Sequence, residues 1–407
     1  MLSLLLACSI PANPFGAATA PVATAETPPS SPGPSGTPSG APASGPSVAA
    51  TTRVYASLVS HNEEAPHPKC TPVVTDAGVY AQNRTVVAEM AREVVSHKAA
   101  WNLQSDWQFA EAVRQWDSAS LKADTQGKNI IDFVANLDRS RVAVDAHAHE
   151  TAYNYADVAA MLARLGAPDT GVVGGFIYHP SEHEVWTRLR GELTGSQDAA
   201  ARWRPQILWG AATYMHQGPD LKLSGIWRPA HPDRFSEDDP SQSLVYVGSY
   251  MDGFVGVYDL LDRLKRGELE PGRMYTATVF VHQCDLTSSK VAATMAEVDK
   301  LAPEVEAGHL VWTPIGGMVQ TWRELYNSAP LSYAPPADAM PPSRKPGAGA
   351  PGGARRSPAG GGGPKAPAQP ELRAPRQGGG VPPKLAPGGA GAKKPGIKDE
   401  GARRPGG

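Results

Sequence analysis

The stretch RVAVDAHAHE, residues 141–150, decides how the rest of the chain is read. Successive side chains of a strand point to opposite faces. As a strand it therefore sets Val142, Val144, Ala146 and Ala148 on one face and Asp145, His147 and His149 on the other. One face can pack; the other carries three ionisable groups. Two earlier runs repeat the design. In SLVSHNEE, residues 57–64, His61 and Glu63 share a face, and in NLQSDW, residues 102–107, Asn102, Gln104 and Asp106 do so.

Further alternating apolar runs lie at 171–178, 207–216, 274–283 and 310–315, and helical patterns at 83–97, 130–137, 155–165, 255–266 and 288–306. Asn154 stands where a helix cap belongs. Strands separated by helices predict βαβ units and a parallel sheet. Seven strand runs, with no Gly-rich phosphate loop after the first, predict an α/β fold closed as a (β/α) barrel of seven or eight strands. The segment 218–243, with Trp227, Pro229, Pro232 and Pro240, interrupts the alternation and reads as a long loop or lid. No internal repeat is present.

Composition sets the limits of this domain. The chain has 407 residues with 42 Gly, 40 Pro and 3 Cys, and a formal net charge of −2. Residues 9–52 are rich in Pro, Ala and Ser, and residues 335–407 in Pro and Gly with scattered Lys and Arg. Neither stretch buries enough apolar surface to offset the entropy of ordering, so both are expected to be disordered arms around a domain at 53–334. Near-neutral charge argues against a nucleic-acid binder. The opening residues MLSLLLAC resemble the end of a lipoprotein signal with Cys8 as the lipidated residue, although no Lys or Arg precedes the Leu run. That predicts an exported cell-envelope protein held to a membrane by a lipid anchor and a polar tether, the alternative being secretion. Cys70 and Cys284 are open to pairing or to remaining thiols.

The active site of a (β/α) barrel lies at the C-terminal ends of its strands. A purely structural barrel would fill its interior with Val, Ile and Leu, because buried ionisable groups are costly unless paired or coordinating. Here three strand ends carry His, Asp, Glu, Asn and Gln. Imidazole with carboxylate suits zinc or a similar divalent ion, with His61, Asp145, His147 and His149 as expected ligands. Glu63 and Asp106 are the expected acid/base pair, and spacing does not say which is the base. The other reading of His-x-His is a strand end whose histidines hydrogen-bond loops. Trp209 and Trp227 are expected to stack on sugar rings, or else to pack the core. His282 ends the 274–283 run and is a further candidate; His179 and His183, around a Pro, read as loop residues.

These strand ends resemble the glycoside hydrolase/deacetylase superfamily of (β/α) barrels, which includes polysaccharide deacetylases. The resemblance covers most of residues 53–334 and implies metal-assisted hydrolysis of an acetyl or glycosidic bond in a carbohydrate. The chain departs from the deacetylases in two ways. They carry adjacent Asp residues on the first strand where this chain has Ser60-His61-Asn62-Glu63, and their paired histidines are three residues apart rather than one. The strings SHNEE, QSDW, DAHAHE and NYADV also look like signatures of an uncharacterised bacterial family. An amidohydrolase and a non-catalytic, envelope-tethered carbohydrate-binding protein are the alternatives. The first usually carries His-x-His on its first strand; the second needs no metal.

Overall fold

The computed structural model describes residues 51–62, 73–150, 152–175, 187–210 and 222–336. Cys8, Glu63, Cys70, His179, His183 and all but residues 51, 52, 335 and 336 of the two arms lie outside the described residues. Contacts divide the chain after Ser343, and every described residue falls in the first unit.

The chain begins with β1 (Arg53–His61), α1 (Ala77–Ser96), β2 (Trp101–Ser105), α2 (Trp107–Trp116), α3 (Ala119–Lys122), α4 (Ile130–Ala135) and β3 (Val142–His147). It continues through α5 (Tyr155–Arg164), β4 (Val172–Gly174), β5 (Leu193–Thr194), β6 (Arg202–Trp203), β7 (Ile207–Trp209), β8 (Ile226–Trp227), β9 (Pro229–His231), β10 (Arg234–Asp238) and β11 (Val245–Val247). It ends with α6 (Phe254–Lys265), β12 (Met274–Phe280), α7 (Ser288–Lys300), α8 (Ala302–Glu306), β13 (Leu310–Trp312) and α9 (Ile315–Leu325). The fold is mixed α/β on a many-stranded, largely parallel sheet, ordered β12-β1-β2-β3-β4-β7-β11-β8, with β13 paired to β1. Among the described residues, β8 is its one antiparallel strand.

The helices start where the sequence offers caps. Asn154 and Asp157 form a capping box on α5, and Asp76 and Asp106 accept backbone N–H bonds at the starts of α1 and α2. The run at 288–306 is two helices, because Pro303 opens α8 at its first turn. The segment expected to be a lid forms β8, β9 and β10 instead. Its aromatics explain this: Trp227, Phe235 and Tyr246 pack on one another at centroid distances of 4.8–6.3 Å and are fully buried. An aromatic cluster of that size drives burial rather than a mobile cover.

Alternation along the strands gives the sheet two apolar faces. Val54, Ala56, Leu58, Leu103, Val144 and Ala146 face the surrounding helices. Tyr55, Val59, Val172, Ile207, Val245 and Met274 form a separate cluster on the other face. Ile315, Met318, Val319 and Trp322 of α9 join that second cluster. Most of its strand members lie in the N-terminal halves of their strands, so α9 closes the end opposite to the strand C-termini.

The two ends of the strand path are linked through β12. Thr278 N–H donates to Ser249 O just beyond β11 at 3.0 Å. Gly225 N–H donates to Thr276 Oγ1, which donates to Gly248 O, each at 2.8 Å. Among the described residues, no helix is long and apolar enough to cross a membrane.

Replacing Thr276 by Val keeps the shape but strands a buried N–H and a buried carbonyl, each costing about 1–3 kcal/mol. Thr276→Val should lower unfolding free energy by about 2–4 kcal/mol in urea titrations. A loss below about 0.5 kcal/mol would show that the linkage carries no load.

Candidate active site

Several strands deliver aromatic or imidazole rings to one place. His61 ends β1, His147 ends β3, Trp209 ends β7 and Phe280 ends β12. The His61 and His147 rings stack with centroids 4.3 Å apart. Trp209 and Phe280 meet the His61 ring edge-to-face at 5.5 and 4.7 Å. His61 and His147 are both about 2% exposed, so this is a sealed imidazole pair over an aromatic floor.

One carbonyl fixes the chemistry of His147. Gly174 O lies 2.9 Å from His147 Nδ1 and 2.9 Å from the Tyr155 hydroxyl. A carbonyl only accepts, so both groups donate to it. His147 Nδ1 therefore carries a proton, which leaves Nε2 as the nitrogen that presents a lone pair whenever the ring is neutral. That Nε2 faces His149 Nε2 at 3.1 Å, and His149 is exposed. Gly175 makes the arrangement possible: its φ is +70°, and a Cβ there would lie 2.6 Å from His147 and 2.8 Å from His61. Only glycine fits under both rings.

The other predicted residues are dispersed. Asp145 shares a face with His147, as alternation requires, but its carboxylate belongs to a buried network. Asn102 Nδ2 donates to Asp145 Oδ2 at 2.7 Å, and Asn102 Oδ1 accepts from Ser57 Oγ and from Ile315 N–H at the start of α9. Burial pushes the Asp145 carboxyl up to about 6, against the pull of the Thr170, Asn102 and Gln104 side chains. Asp106 is buried and caps α2, its Oδ1 accepting from Phe109 N–H at 2.8 Å. Trp227 lies in the cluster facing the helices, its indole N–H spent on Phe235 O at 2.6 Å, so it does not stand beside the histidines. His282 Nδ1 accepts from Cys284 N–H at 3.3 Å, and Cys284 is disulfide-bonded. Glu63 lies outside the described residues.

Two features were not expected from sequence. Trp107 and Tyr153, both half-buried just past β2 and β3, stack at 4.8 Å and form an aromatic rim. The Trp after Asp106 was the available signal. The second is the turn after β11, where Tyr250, Met251 and Asp252 hold φ values of 36°, 60° and 45°. Each left-handed non-glycine residue costs roughly 1–2 kcal/mol. Three in succession persist only where packing dictates them, and such strain concentrates at functional sites. Nothing in the string SYMDG announces it beyond the Gly that follows.

The described residues do not assemble the metal shell expected from sequence. The nitrogen pair of His147 and His149 has the spacing of two ligands on one zinc-sized ion, about 3.3 Å for tetrahedral bonds near 2 Å. Among the described residues, no group of three or more His, Cys, Asp or Glu could hold a metal ion. The expected set of His61, Asp145, His147 and His149 is therefore not brought together as a shell: Asp145 is engaged with Asn102, and His61 stacks face-on against His147.

No family model matches the sequence. No curated protein matches it. Among solved structures, 4-alpha-glucanotransferase from Thermococcus litoralis is similar at 8% identity over 70% of this chain, with a TM-score of 0.37, and the chain spans 40% of that protein. PuuE allantoinase is similar at 11% identity over 67% of this chain and 90% of its own, with a TM-score of 0.39. A probable polysaccharide deacetylase from Pseudomonas aeruginosa PAO1 is similar at 12% identity over 67% of this chain and 92% of its own, also with a TM-score of 0.39. At these values none of them transfers a residue role.

The raised carboxyl of Asp145 makes a prediction about stability. Its folded value of about 6 lies above its ordinary 3.8, so the folded state holds the proton more tightly than the unfolded state does. The associated stability is fully present below about pH 4 and is lost as pH rises through 6. Asp145→Asn keeps an acceptor for Asn102 and removes the charge. It should be more stable than wild type at pH 7.5, by on the order of 3 kcal/mol, and should match it near pH 4. A variant that is less stable than wild type at pH 7.5 would contradict this.

Proposed function

We propose that β12, β1, β2, β3, β4, β7 and β11 form a closed (β/α) barrel of seven parallel strands, and that the chain is a hydrolase of an acylated glycan or other carbohydrate acting at its mouth. The observation that carries the reading is the His147 imidazole, whose Nδ1–H is held by Gly174 O and whose Nε2 is turned toward the exposed His149. A neutral imidazole with one fixed tautomer, at the C-terminal end of a parallel strand, is suited to accept a proton from water.

In this reading, a water at His147 Nε2 gives up its proton as its oxygen attacks the acyl or anomeric carbon. Tyr155 and Gly174 O hold the ring in register, so no reorientation accompanies the transfer. His61, Trp209 and Phe280 seal the site from below and keep bulk water away from the imidazole. Trp107 and Tyr153 offer a sugar-stacking rim, in place of the two tryptophans named from sequence. Glu63 remains the proposed carboxylate from the segment following β1. His147 Nε2 has one lone pair, so a divalent ion of zinc type held there with His149 would replace its role as base, supplying Lewis-acid polarisation instead. On its N-terminal sequence, the protein is proposed to be exported and tethered at Cys8 in the cell envelope.

Purified protein should release acetate from acetylated xylan, and His147→Ala should do so at least ~100-fold more slowly. An equal rate in the variant would contradict the assignment. Elemental analysis then addresses the ion: a divalent metal present in wild type and lost in His149→Ala supports the nitrogen pair as its seat. Binding of the glycan with no cleavage under any metal loading would favour a carbohydrate-binding protein.

A further inference from the structure

The strained turn after β11 stands next to this mouth and has no structural task that accounts for its third residue. Tyr250, its first, is fully buried, and its hydroxyl donates to Asp259 Oδ2 at 2.6 Å. Gly256 lets α6 press onto the turn, since a Cβ there would lie 2.1 Å from Tyr250 O. Ser249, just before the turn, is bonded to Thr278 of β12. The turn is thus clamped between α6 and β12, and the clamp aims Asp252 at β12. There the Phe280 backbone N–H and the Thr278 side chain are its neighbours. Thr278 shares a strand face with Phe280, whose ring touches His61.

Asp252 Oδ1 and Thr278 Oγ1 are both buried and make no hydrogen bond. A carboxyl oxygen sealed from water without a donor is unfavourable when charged and tolerable when it carries a proton. The titratable groups on the surrounding elements are His61 on β1, His282 beyond β12, and Asp259 with Arg263 on α6, which pair with each other at 2.9 Å. Among the described residues, no cation faces Asp252 to hold it ionised. Burial accordingly pushes its carboxyl up to about 8, the Phe280 N–H and Thr278 pulling the other way.

We propose that Asp252, held against β12 beside the Phe280–His61 contact, is the proton donor of this site, a neutral carboxylic acid that protonates the leaving group while His147 takes the proton of water. The inference rests on the hydrolase reading above. Water oxygen bonds to the acyl carbon and its proton passes to His147 Nε2. As the bond from carbon to the sugar oxygen breaks, that oxygen takes the proton of Asp252, leaving a carboxylate. Once the products leave, the water that replaces them carries the His147 proton back to Asp252, so no charge or atom is left over. The left-handed turn, costly in itself, is what puts the acid there.

The test compares two acetyl esters on wild type and Asp252→Asn. The leaving group of 4-nitrophenyl acetate departs without a proton, whereas the sugar hydroxyl of acetylated xylan needs one. Asp252→Asn should lose about 100-fold or more on acetylated xylan and stay within about threefold on 4-nitrophenyl acetate. The basic limb of the pH–rate profile on xylan should vanish with it. A retained aryl-ester rate also shows that the variant folds. Equal losses on both esters overturn the assignment while leaving the hydrolase reading in place. Activity of wild type on neither ester removes the hydrolase reading and the inference together. Should the variant not fold, the carbon-13 titration of Asp252 in wild type decides: a carboxyl already ionised at pH 6 overturns the proposal.

Discussion

The carbonyl oxygen of Gly174 is the point on which the site depends. It takes one hydrogen bond from His147 Nδ1 and one from the Tyr155 hydroxyl, which uses both of its lone pairs. Because it sits on β4, it ties the end of β3 to its neighbouring strand and to the start of α5. The tautomer of His147, the direction of its Nε2 and its stacking on His61 all follow from that oxygen. Gly175, the next residue, supplies the space: with any side chain there, neither ring could occupy its position. A two-residue backbone segment thereby sets the protonation chemistry of the mouth.

Beneath the rings, the interior is layered. α9 and the N-terminal halves of the strands form an apolar plug, and above it Ser57, Asn102 and Asp145 form one hydrogen-bonded layer capped by Ile315 N–H. The polar residues read from sequence as one stripe thus divide by depth. Asp145 and Asn102 are structural partners two residues below the histidines, where burying an ionisable group is compensated by specific donors. This explains why spacing grouped Asp145 with His147 and why only His147 reaches the mouth. A period of two reports the face of a strand and says nothing of height along it.

Much of the frame was legible. The runs around β1, β2, β3, β12 and β13 stand out because strict alternation with apolar partners is hard to mistake, and the helices α1, α4, α5, α6 and α7 because their apolar faces repeat at helical spacing. β11 was missed, being three residues of unbroken apolar sequence with no alternation to reveal it. β8–β10 were read as a lid because Pro and acidic residues outweighed Trp227 and Phe235, whose partner Tyr246 is distant enough in sequence to leave no local signal. For the same reason Trp227 was misplaced at the mouth. Asp106 was read as chemistry when its first task is to cap α2, a role that the following helix would have announced. Asp252 was invisible: its character comes from three left-handed residues and from a strand, β12, that lies beyond an intervening helix.

The central claim is that His147 is a neutral imidazole with its proton on Nδ1 and a lone pair on Nε2 directed at the mouth. Nitrogen-15 NMR of histidine-labelled protein at pH 7.5, with assignment by His147→Gln, measures this directly. The account predicts an Nδ1-protonated ring whose Nε2 has the shift of an unprotonated nitrogen, with the Nδ1 proton protected from exchange. A ring protonated at Nε2, or one averaging rapidly between the two tautomers, would contradict it.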